Sequence, residues 1–264
     1  MMDPTLIVNP VKRRLDADER VLMMSLRQLR TPDAAMIVRE CGFDGFYVDC
    51  EHGTYSRAEV SALCASGLLA GLMPAVRAPG ADEASIGAAL DGGALAVIVP
   101  HVGDAGAAQA AVRAAKYPPS GHRSLAALGP ATRYRSLPLA EIARLQNDAT
   151  LVIAMLETAQ GIENAEAIAA VPGIDALMIG PADLSGDLGL TGELKHPRIE
   201  QAWFSAAAAA RKHGKHFVAG AGGPDIAEMV ARGARILMGT NDVAYLMSAA
   251  REAATKMRTT RRRS

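Results

Sequence analysis

Two acidic residues follow apolar stretches in a way that suggests a metal site. Glu157 directly follows the stretch LVIAML that begins at Leu151, and Asp183 follows a second apolar stretch that begins at Ile174. Such stretches are typical of buried parallel strands, whose carboxyl ends meet at one edge of a sheet. A single acid after a strand is more often a helix cap or an ion-pair partner. Two carboxylates at one edge instead suit a hard divalent cation, and they favour an enzyme.

Further polar residues follow the three predicted strands that precede this pair. They are Asp49 and His52 after one strand, Arg77 at the end of the next, and His101 after the third. Reactive side chains of a parallel barrel lie at the carboxyl ends of its strands, so we expect these residues to share one pocket. The alternatives are a salt bridge for Arg77 and a helix cap for His52. His101 is interpreted as structural or solvated, although it could face the cavity.

The order of elements predicts a TIM (β/α)8 barrel. Short apolar stretches alternate with longer alanine-rich ones, a pattern that calls for parallel strands joined by crossover helices. The eight predicted strands are residues 21–26, 45–50, 72–77, 94–100, 151–157, 174–179, 216–219 and 235–238. Eight strand–helix units in about 250 residues is the size of such a barrel. A doubly wound sheet is the alternative, but the chain has neither G-x-G-x-x-G nor G-x-x-x-x-G-K.

No shift in composition marks a domain boundary, so residues 1–264 are expected to form a single α/β barrel domain. Residues 1–20 are interpreted as an N-terminal extension, and residues 258–264 as a solvated basic tail. Residues 117–138 are the one long irregular segment, and such a loop in a compact barrel is usually functional or interfacial. The predicted helices are residues 57–69, 82–90, 105–116, 161–170, 197–213, 224–232 and 243–257.

Composition excludes several classes of partner. The 264-residue chain is 50% apolar, and 28 basic residues balance 28 acidic residues. Without net charge there is no field to attract nucleic acid or an anionic membrane. The three cysteines lack a C-x-x-C spacing, no segment resembles a signal peptide, and no stretch reads as a membrane span. We therefore expect a cytoplasmic protein with a small-molecule partner.

Several ordered motifs cover most of the chain, from about residue 21 to residue 246. They are GFDGFYVDCEHG from Gly42, PAVR from Pro74, YPPxGxR from Tyr117, Glu157-Thr158, GIEN from Gly161, and VPGID from Val171 running into IGPADLS from Ile179. In these motifs the chain resembles the HpcH/HpaI aldolase family of metal-dependent pyruvate aldolases. The resemblance implies a class II aldolase, which is a carbon–carbon lyase.

The resemblance also implies a role for the two acids and for Arg77. Glu157 and Asp183 would bind Mg²⁺, Mn²⁺ or Co²⁺, which accept oxygen ligands and leave positions open for exchange. Pyruvate would chelate the cation through its carboxylate and keto oxygens, so the negative charge of its enolate would form beside a cation. Arg77 would stabilise the same oxygen.

The substrate pocket is implied in the same way. It would include Gly180, Pro181, Ala182 and Asp183, with backbone N–H groups near Gly180, Ala182 and Asp183 holding the pyruvate carboxylate. Met155 stands where many relatives carry a substrate-binding glutamine, which makes the floor of this pocket more apolar. The 123–134 stretch also departs from the common loop, and because such loops select the aldehyde, the acceptor stays open.

By the same resemblance, His52 would be the proton shuttle and Asp49 would orient its ring. Asp91 matches an acid that reaches the histidine of a neighbouring subunit. A homo-oligomer, and by family resemblance a hexamer, is therefore expected. The 243–257 helix is a candidate for packing on another subunit.

The lysines argue independently for a metal. The other route to an enolate-like nucleophile from pyruvate is a Schiff-base lysine at a strand tip. None of the six lysines is predicted at such a tip, and Lys215, which comes nearest, precedes its strand.

The sequence therefore predicts a divalent-metal-dependent aldolase that reversibly cleaves a 4-hydroxy-2-oxo acid to pyruvate, or a hydroxypyruvate-like donor, and an aldehyde. Two alternatives stay open. One is a lyase of the same superfamily that acts on a CoA thioester such as citramalyl-CoA or malyl-CoA. The other is a non-catalytic barrel that binds an oxo acid.

Overall fold

A computed structural model of the chain describes residues 7–259. Eight parallel strands form a closed barrel in sequence order, with β1 paired to β8. The strands are β1 Val21–Leu26, β2 Gly45–Asp49, β3 Met73–Arg77, β4 Ala96–Val99, β5 Leu151–Leu156, β6 Ala176–Ile179, β7 His216–Gly220 and β8 Ile236–Asn241. The predicted TIM barrel is confirmed, and every predicted strand overlaps an observed one.

Helices surround the barrel. In the described residues they are α1 Pro10–Asp16, α2 Asp33–Glu40, α3 Arg57–Leu69, α4 Glu83–Asp91, α5 Ala105–Ala115, α6 Leu139–Ala149, α7 Ala159–Glu163, α8 Ala165–Ala169, α9 Pro181–Asp187, α10 Pro197–Lys212, α11 Ile226–Ala231 and α12 Asp242–Thr259. The helices α1, α2, α6 and α9 lie outside the ranges predicted as helical. The prediction also merged α7 and α8, because the break at Asn164 leaves the apolar pattern intact.

Side chains alternate along each strand between two apolar cores, one inside the barrel and one between barrel and helices. In β5 the inner core receives Leu151, Ile153 and Met155, and the outer core receives Val152, Ala154 and Leu156. Both faces of a parallel barrel are covered, which explains why these strands appear in the sequence as continuous apolar stretches.

The amino end of the barrel is closed by α1. Val11 and Leu15 of this helix belong to the inner core of the barrel. The side chain of Asn9 caps α1 and donates hydrogen bonds to the carbonyl oxygens of Leu95 at 3.2 Å and Ala149 at 2.8 Å. The 1–20 segment, interpreted from the sequence as an extension, therefore includes a barrel-closing helix, while its residues 1–6 lie outside the described range.

The irregular 117–138 segment also lies at the amino end of the barrel. Within it the structure shows only a 3₁₀ turn, Pro130–Thr132. Its Arg123 donates a hydrogen bond to Asp91, the last residue of α4, at 2.6 Å. Pro130 packs beside Gly93, just before β4 begins. The segment is thus distant from the carboxyl ends of the strands.

The last helix, α12, is attached to the barrel mainly at its first residue. Asp242 is buried and accepts hydrogen bonds from the backbone N–H groups of Arg27, Gln28 and Leu29. Beyond it, Leu246 is 70% exposed. No helix among residues 7–259 is long and apolar enough to cross a membrane. Of the predicted basic tail, residues 260–264 lie outside the described range.

Candidate active site

A pocket of about 220 Å³ opens at the carboxyl ends of the strands. Its lining includes His52, Arg77, Met155, Glu157 and all four residues of the 180–183 segment. The structure thus brings together residues that lie up to 131 positions apart in the sequence, between His52 and Asp183. None of the six lysines is among the described residues that line the pocket, and Lys215 precedes β7, as predicted.

The two-residue alternation of the strands places the polar side chains at this end. Along β5, Glu157 continues the inward-facing series of Ile153 and Met155. Arg77 continues the series of Met73 and Ala75 in β3 in the same way. Both strands therefore end with a polar side chain on the side that their inward-facing apolar residues set, and the pocket forms where the apolar packing stops.

Asp49 is fully buried and binds two arginines. It accepts hydrogen bonds from Nε and Nη2 of Arg77 at 2.9 and 2.6 Å, and from Nε of Arg27 at 2.9 Å. Burial by itself would raise the pKa of Asp49, but the hydrogen bonds and charge of Arg77 outweigh it and hold this pKa below its usual range. The carboxylate therefore stays ionised and fixes both guanidinium groups.

His52 lies at the rim of the pocket, on a tight turn after β2. Its backbone N–H donates to Oδ1 of Asp49 at 3.2 Å. Gly53 permits this turn, since a Cβ at that position would lie 2.1 Å from the carbonyl oxygen of Asp49. The contact between His52 and Asp49 thus runs through the main chain, and the orientation of the imidazole by Asp49 stays a prediction.

Glu157 carries a buried oxygen without a partner. The residue is 2% exposed, its Oε2 accepts a hydrogen bond from the backbone N–H of His101 at 2.8 Å, and its Oε1 has no hydrogen-bond partner. Burial raises the pKa of Glu157, and the neighbouring charges of Glu51 and Asp183 raise it further. A buried acid whose charge is disfavoured and whose oxygen is unsatisfied fits a cation ligand.

Glu51 and His101 complete this acidic cluster, and neither was assigned a role from the sequence. Nδ1 of His101 lies 3.1 Å from Oε2 of Glu157, and its Nε2 lies 3.1 Å from Oε1 of Glu51. Ligand atoms of Glu51, His101 and Glu157 lie within 4.8 Å of one another. The side chain of His101 is 60% exposed and contacts both acids, so it is solvated and also faces the acidic cluster; its position directly after β4 was the available signal.

The site residues fit a divalent cation. Glu51, His101 and Glu157 offer two carboxylates and an imidazole whose ligand atoms lie close together, and Asp183, outside that group, is a further carboxylate of the pocket lining. Asp183 lies exposed in the first turn of α9, close enough to Glu157 for its charge to act on the pKa of that residue. Oxygen donors with one nitrogen suit Mg²⁺, Mn²⁺ or Co²⁺.

The backbone N–H of Gly180 was expected to hold the substrate carboxylate, but it is not free to do so. It donates to the carbonyl oxygen of Leu156 at 3.0 Å, so it is already used within the chain. The backbone N–H groups of Ala182 and Asp183 are therefore the remaining candidates for a substrate carboxylate at this turn. Gly180 has another role, because a Cβ there would lie 2.3 Å from Oε1 of Glu157.

Two predicted features lie away from this pocket within a single chain. Asp91 ends α4 at the opposite end of the barrel, where it pairs with Arg123. The 117–138 loop, which includes the stretch expected to select the aldehyde, contributes no residue to the described pocket lining. The physical reason is topological: this loop follows α5, which returns the chain to the amino ends of the strands. Either feature could reach a pocket only on another subunit.

Other pocket residues were given no role from the sequence. Arg27 follows β1, Trp203 comes from α10, and Asn241 ends β8. Closure of the barrel brings them into the same pocket as Glu157.

Comparison with known proteins identifies the family. The family model described as HpcH/HpaI aldolase/citrate lyase matches residues 23–249. The chain is 40% identical over 194 residues to a 4-hydroxy-4-methyl-2-oxoglutarate aldolase from Hapsidospora irregularis, covering 73% of this chain and 72% of that protein. It is 33% identical to a hydroxypyruvate/pyruvate aldolase from Sagittula stellata, over 78% of this chain and 80% of the other.

A solved structure agrees. The HpcH/HpaI aldolase from Desulfitobacterium hafniense superposes with a TM-score of 0.89 at 32% identity, covering 96% of this chain and 98% of the other. With the motifs, the barrel and the acidic pocket in place, the chain belongs to the HpcH/HpaI aldolase/citrate lyase family.

Proposed function

We propose that the protein is a divalent-cation-dependent aldolase that reversibly cleaves a 4-hydroxy-2-oxo acid to pyruvate, or hydroxypyruvate, and an aldehyde or other carbonyl acceptor. One observation carries the proposal: a buried, unpartnered carboxylate oxygen of Glu157 in an open pocket beside the Asp49–Arg77 ion pair. The relatives support it, since they are named as aldolases of 2-oxo acids.

The reaction balances without a redox partner. In the cleavage direction the C4 hydroxyl loses its proton, the C3–C4 bond breaks, and C4 becomes the carbonyl carbon of the acceptor. The electron pair left on C3 then takes up a proton and gives the methyl group of pyruvate. The protein must move two protons and stabilise negative charge at the keto oxygen.

Glu157 and Asp183 would hold the cation, and Glu51 with His101 offers further donors on the side of Glu157. When bound, the cation would supply positive charge beside the keto oxygen of the substrate. Arg77 would add positive charge from the end of β3, where Asp49 holds its guanidinium rigid. Preorganised charge of this kind acts without reorganisation during the reaction.

His52 would move the protons. It is an imidazole on the pocket rim that shares the lining with Arg77, and imidazole is the side chain most often used for general acid–base work. Its turn is fixed through the hydrogen bond to Asp49 and the close approach at Gly53. Hence Asp49 would position both the arginine and the histidine.

Asp91 would act in a neighbouring subunit, so the proposal includes a homo-oligomer, for which the resemblance implies a hexamer. Asp91 is at the amino end of its own barrel, and its side chain is 50% exposed although it pairs with Arg123. The helix α12 leaves apolar side chains such as Leu246 and Tyr245 exposed. The three cysteines are free thiols, which supports a reducing, cytoplasmic setting.

Exchange of pyruvate methyl protons in D₂O, followed by NMR, tests the proposed function. With Mn²⁺ or Mg²⁺ we expect the methyl signal to disappear, because the same carbon gains and loses its proton in the aldol reaction. Chelation with EDTA should stop the exchange, and added metal should restore it. Absence of exchange with Mg²⁺, Mn²⁺ and Co²⁺ would contradict the proposal, and turnover of citramalyl-CoA or malyl-CoA alone would favour the thioester lyase.

A further inference from the structure

Arg27 is a pocket residue that the roles above leave unused. It follows β1, where it continues the inward-facing parity of Met23. Its side chain lines the pocket and is 39% exposed, whereas that of Arg77 is 7% exposed. Arg27 is therefore the more accessible of these two arginines to a ligand.

The guanidinium of Arg27 is held along one edge. Its Nε donates to Oδ2 of Asp49 at 2.9 Å, and the backbone N–H of Arg27 donates to Oδ1 of Asp242 at 2.9 Å. Among the contacts of residues 7–259, neither Nη1 nor Nη2 of Arg27 has a hydrogen-bond partner. The hydrogen bond from Nε to Asp49 fixes the orientation of the guanidinium and leaves Nη1 and Nη2 free to bind a ligand.

Arg77 differs, because its nitrogens already face acids of the chain. Its Nε and Nη2 donate to Asp49, and its Nη1 lies 2.8 Å from Oε2 of Glu51. All three guanidinium nitrogens of Arg77 therefore lie within bonding distance of an acid of the chain. A second substrate anion would find its unpaired donors at Arg27, and the terminal N–H groups of a guanidinium match the geometry of a carboxylate.

The positions of Arg27 and Glu157 in the barrel indicate which half of the substrate contacts Arg27. In the closed order of eight strands, β1 and β5 lie on opposite sides, so Arg27 and Glu157 face each other across the mouth. A substrate whose 2-oxo acid end lies at Glu157 directs its acceptor half towards Arg27.

The reach is short. Nε of Arg27 and Nη2 of Arg77 bind the same Oδ2 of Asp49, at 2.9 and 2.6 Å. The free donors of Arg27 therefore lie close to the reacting centre, within a pocket of only about 220 Å³. An anion there belongs on the carbon that becomes the acceptor carbonyl, not at the end of a long chain.

We infer that Arg27 binds a carboxylate on C4 of the substrate, so that the preferred acceptor is a 2-oxo acid instead of an uncharged aldehyde. The inference rests on the proposed aldolase function and adds the chemical class of the acceptor. Arg27 is then a specificity-determining residue, whose charge-assisted hydrogen bonds discriminate between acceptors.

A pair of matched substrates tests this. Initial rates of cleavage are measured for 4-hydroxy-4-methyl-2-oxoglutarate, which releases two pyruvates per turnover, and for 4-hydroxy-4-methyl-2-oxopentanoate, which has a methyl group in place of the C4 carboxylate and releases one pyruvate and acetone. Wild-type protein should prefer the dicarboxylate in kcat/KM. Arg27→Met should lower the ratio of the two kcat/KM values about 10- to 100-fold, the range for hydrogen bonds to a charged group, with the loss mainly in KM. Arg27→Lys should fall between.

Arg30→Met is the matched control, because Arg30 binds Thr54 and Glu59 outside the pocket; it should leave the ratio unchanged. A wild-type ratio near one overturns the inference without any variant, and so does an unchanged ratio in Arg27→Met. Proton exchange by wild-type protein with pyruvate alone separates the two proposals. If exchange occurs without a preference for the dicarboxylate, only the role of Arg27 is lost, whereas absence of exchange removes the aldolase itself.

Discussion

At the scale of single residues, the buried carboxylate of Glu157 lowers the stability of the metal-free protein while it provides a ligand for a cation. Burial raises the pKa of its carboxyl, so the ionised form is disfavoured in the folded chain relative to the unfolded one. As the pH rises from the ordinary pKa of glutamate towards the raised pKa of Glu157 in the folded chain, the metal-free protein loses stability. At higher pH the whole of this loss remains. A bound cation would reverse this cost, since it favours the ionised form.

Glu157→Gln should therefore stabilise the metal-free protein at pH 8. In EDTA we expect a melting temperature a few degrees above wild type, which corresponds to about 1 kcal/mol for a chain of this size, and a smaller difference at pH 5. Mn²⁺ should raise the melting temperature of wild type but not that of the variant. Thermal unfolding followed by circular dichroism measures both effects.

The control is Glu163→Gln, because Glu163 is an exposed acid of α7. It should change neither the metal-free stability nor the response to Mn²⁺. Equal Mn²⁺ responses in wild type and Glu157→Gln would contradict the assignment of Glu157 as a ligand.

At the scale of elements, the turn from β6 into α9 positions the site. Gly180 ends the strand region, and its N–H is bound to Leu156 of β5. The absence of a side chain leaves room for Oε1 of Glu157. This glycine is needed for close approach and not for an unusual backbone angle, since its φ is −95°.

Gly180→Ala should weaken metal binding without unfolding the barrel. The new Cβ would lie 2.3 Å from Oε1 of Glu157, so the carboxylate must move away from its present position. We expect the Kd for Mn²⁺, measured by electron paramagnetic resonance, to rise at least about tenfold, which is within the range for disturbed positioning of a ligand.

Gly186→Ala is the matched control in the same helix, because nothing lies within 4 Å of a Cβ at that position. It should leave the Kd unchanged and should not lower the stability, since alanine is the better helix former by roughly 1 kcal/mol. A Kd for Gly180→Ala equal to wild type would show that the carboxylate does not need this space.

At the scale of the whole molecule, the chain presents features that a single barrel does not use. Asp91 and the 117–138 loop lie at the amino end, away from the pocket of their own chain. An apolar groove between α2 and α12, of about 520 Å³, is lined by Ile37, Phe43 and Leu246 among others. These features support the proposed homo-oligomer.

Leu246→Glu should reduce the size of the assembly. Leu246 is 70% exposed on the groove-facing side of α12, and a buried charge at an apolar interface is strongly unfavourable. We expect size-exclusion chromatography with light scattering to show a smaller mass than wild type. Ser248→Glu, on the opposite side of the same helix, should leave the mass unchanged. An unaltered mass for Leu246→Glu would exclude this face from the interface.

Much of the barrel could be predicted because its signals are local. Each strand appears as an apolar stretch, and the polar residue that follows marks its carboxyl end. Glu157, Arg77 and His52 were found in this way, and the structure places all three in one pocket. The helices α2 and α6 lie outside the predicted ones because each begins after a proline with no side-chain N-cap, so the usual sequence signal for a helix start is absent.

What the sequence by itself determined is the set of strands, their parallel order and the parity that turns Asp49, Arg77 and Glu157 inward, because alternation along a strand is a local property. Only the tertiary structure decided that Arg27 faces Glu157 across the mouth, that His101 joins Glu51, and that Asp91 lies at the far end. Those relations depend on closure of the barrel and on the path of its loops, which bring together residues that no local pattern connects.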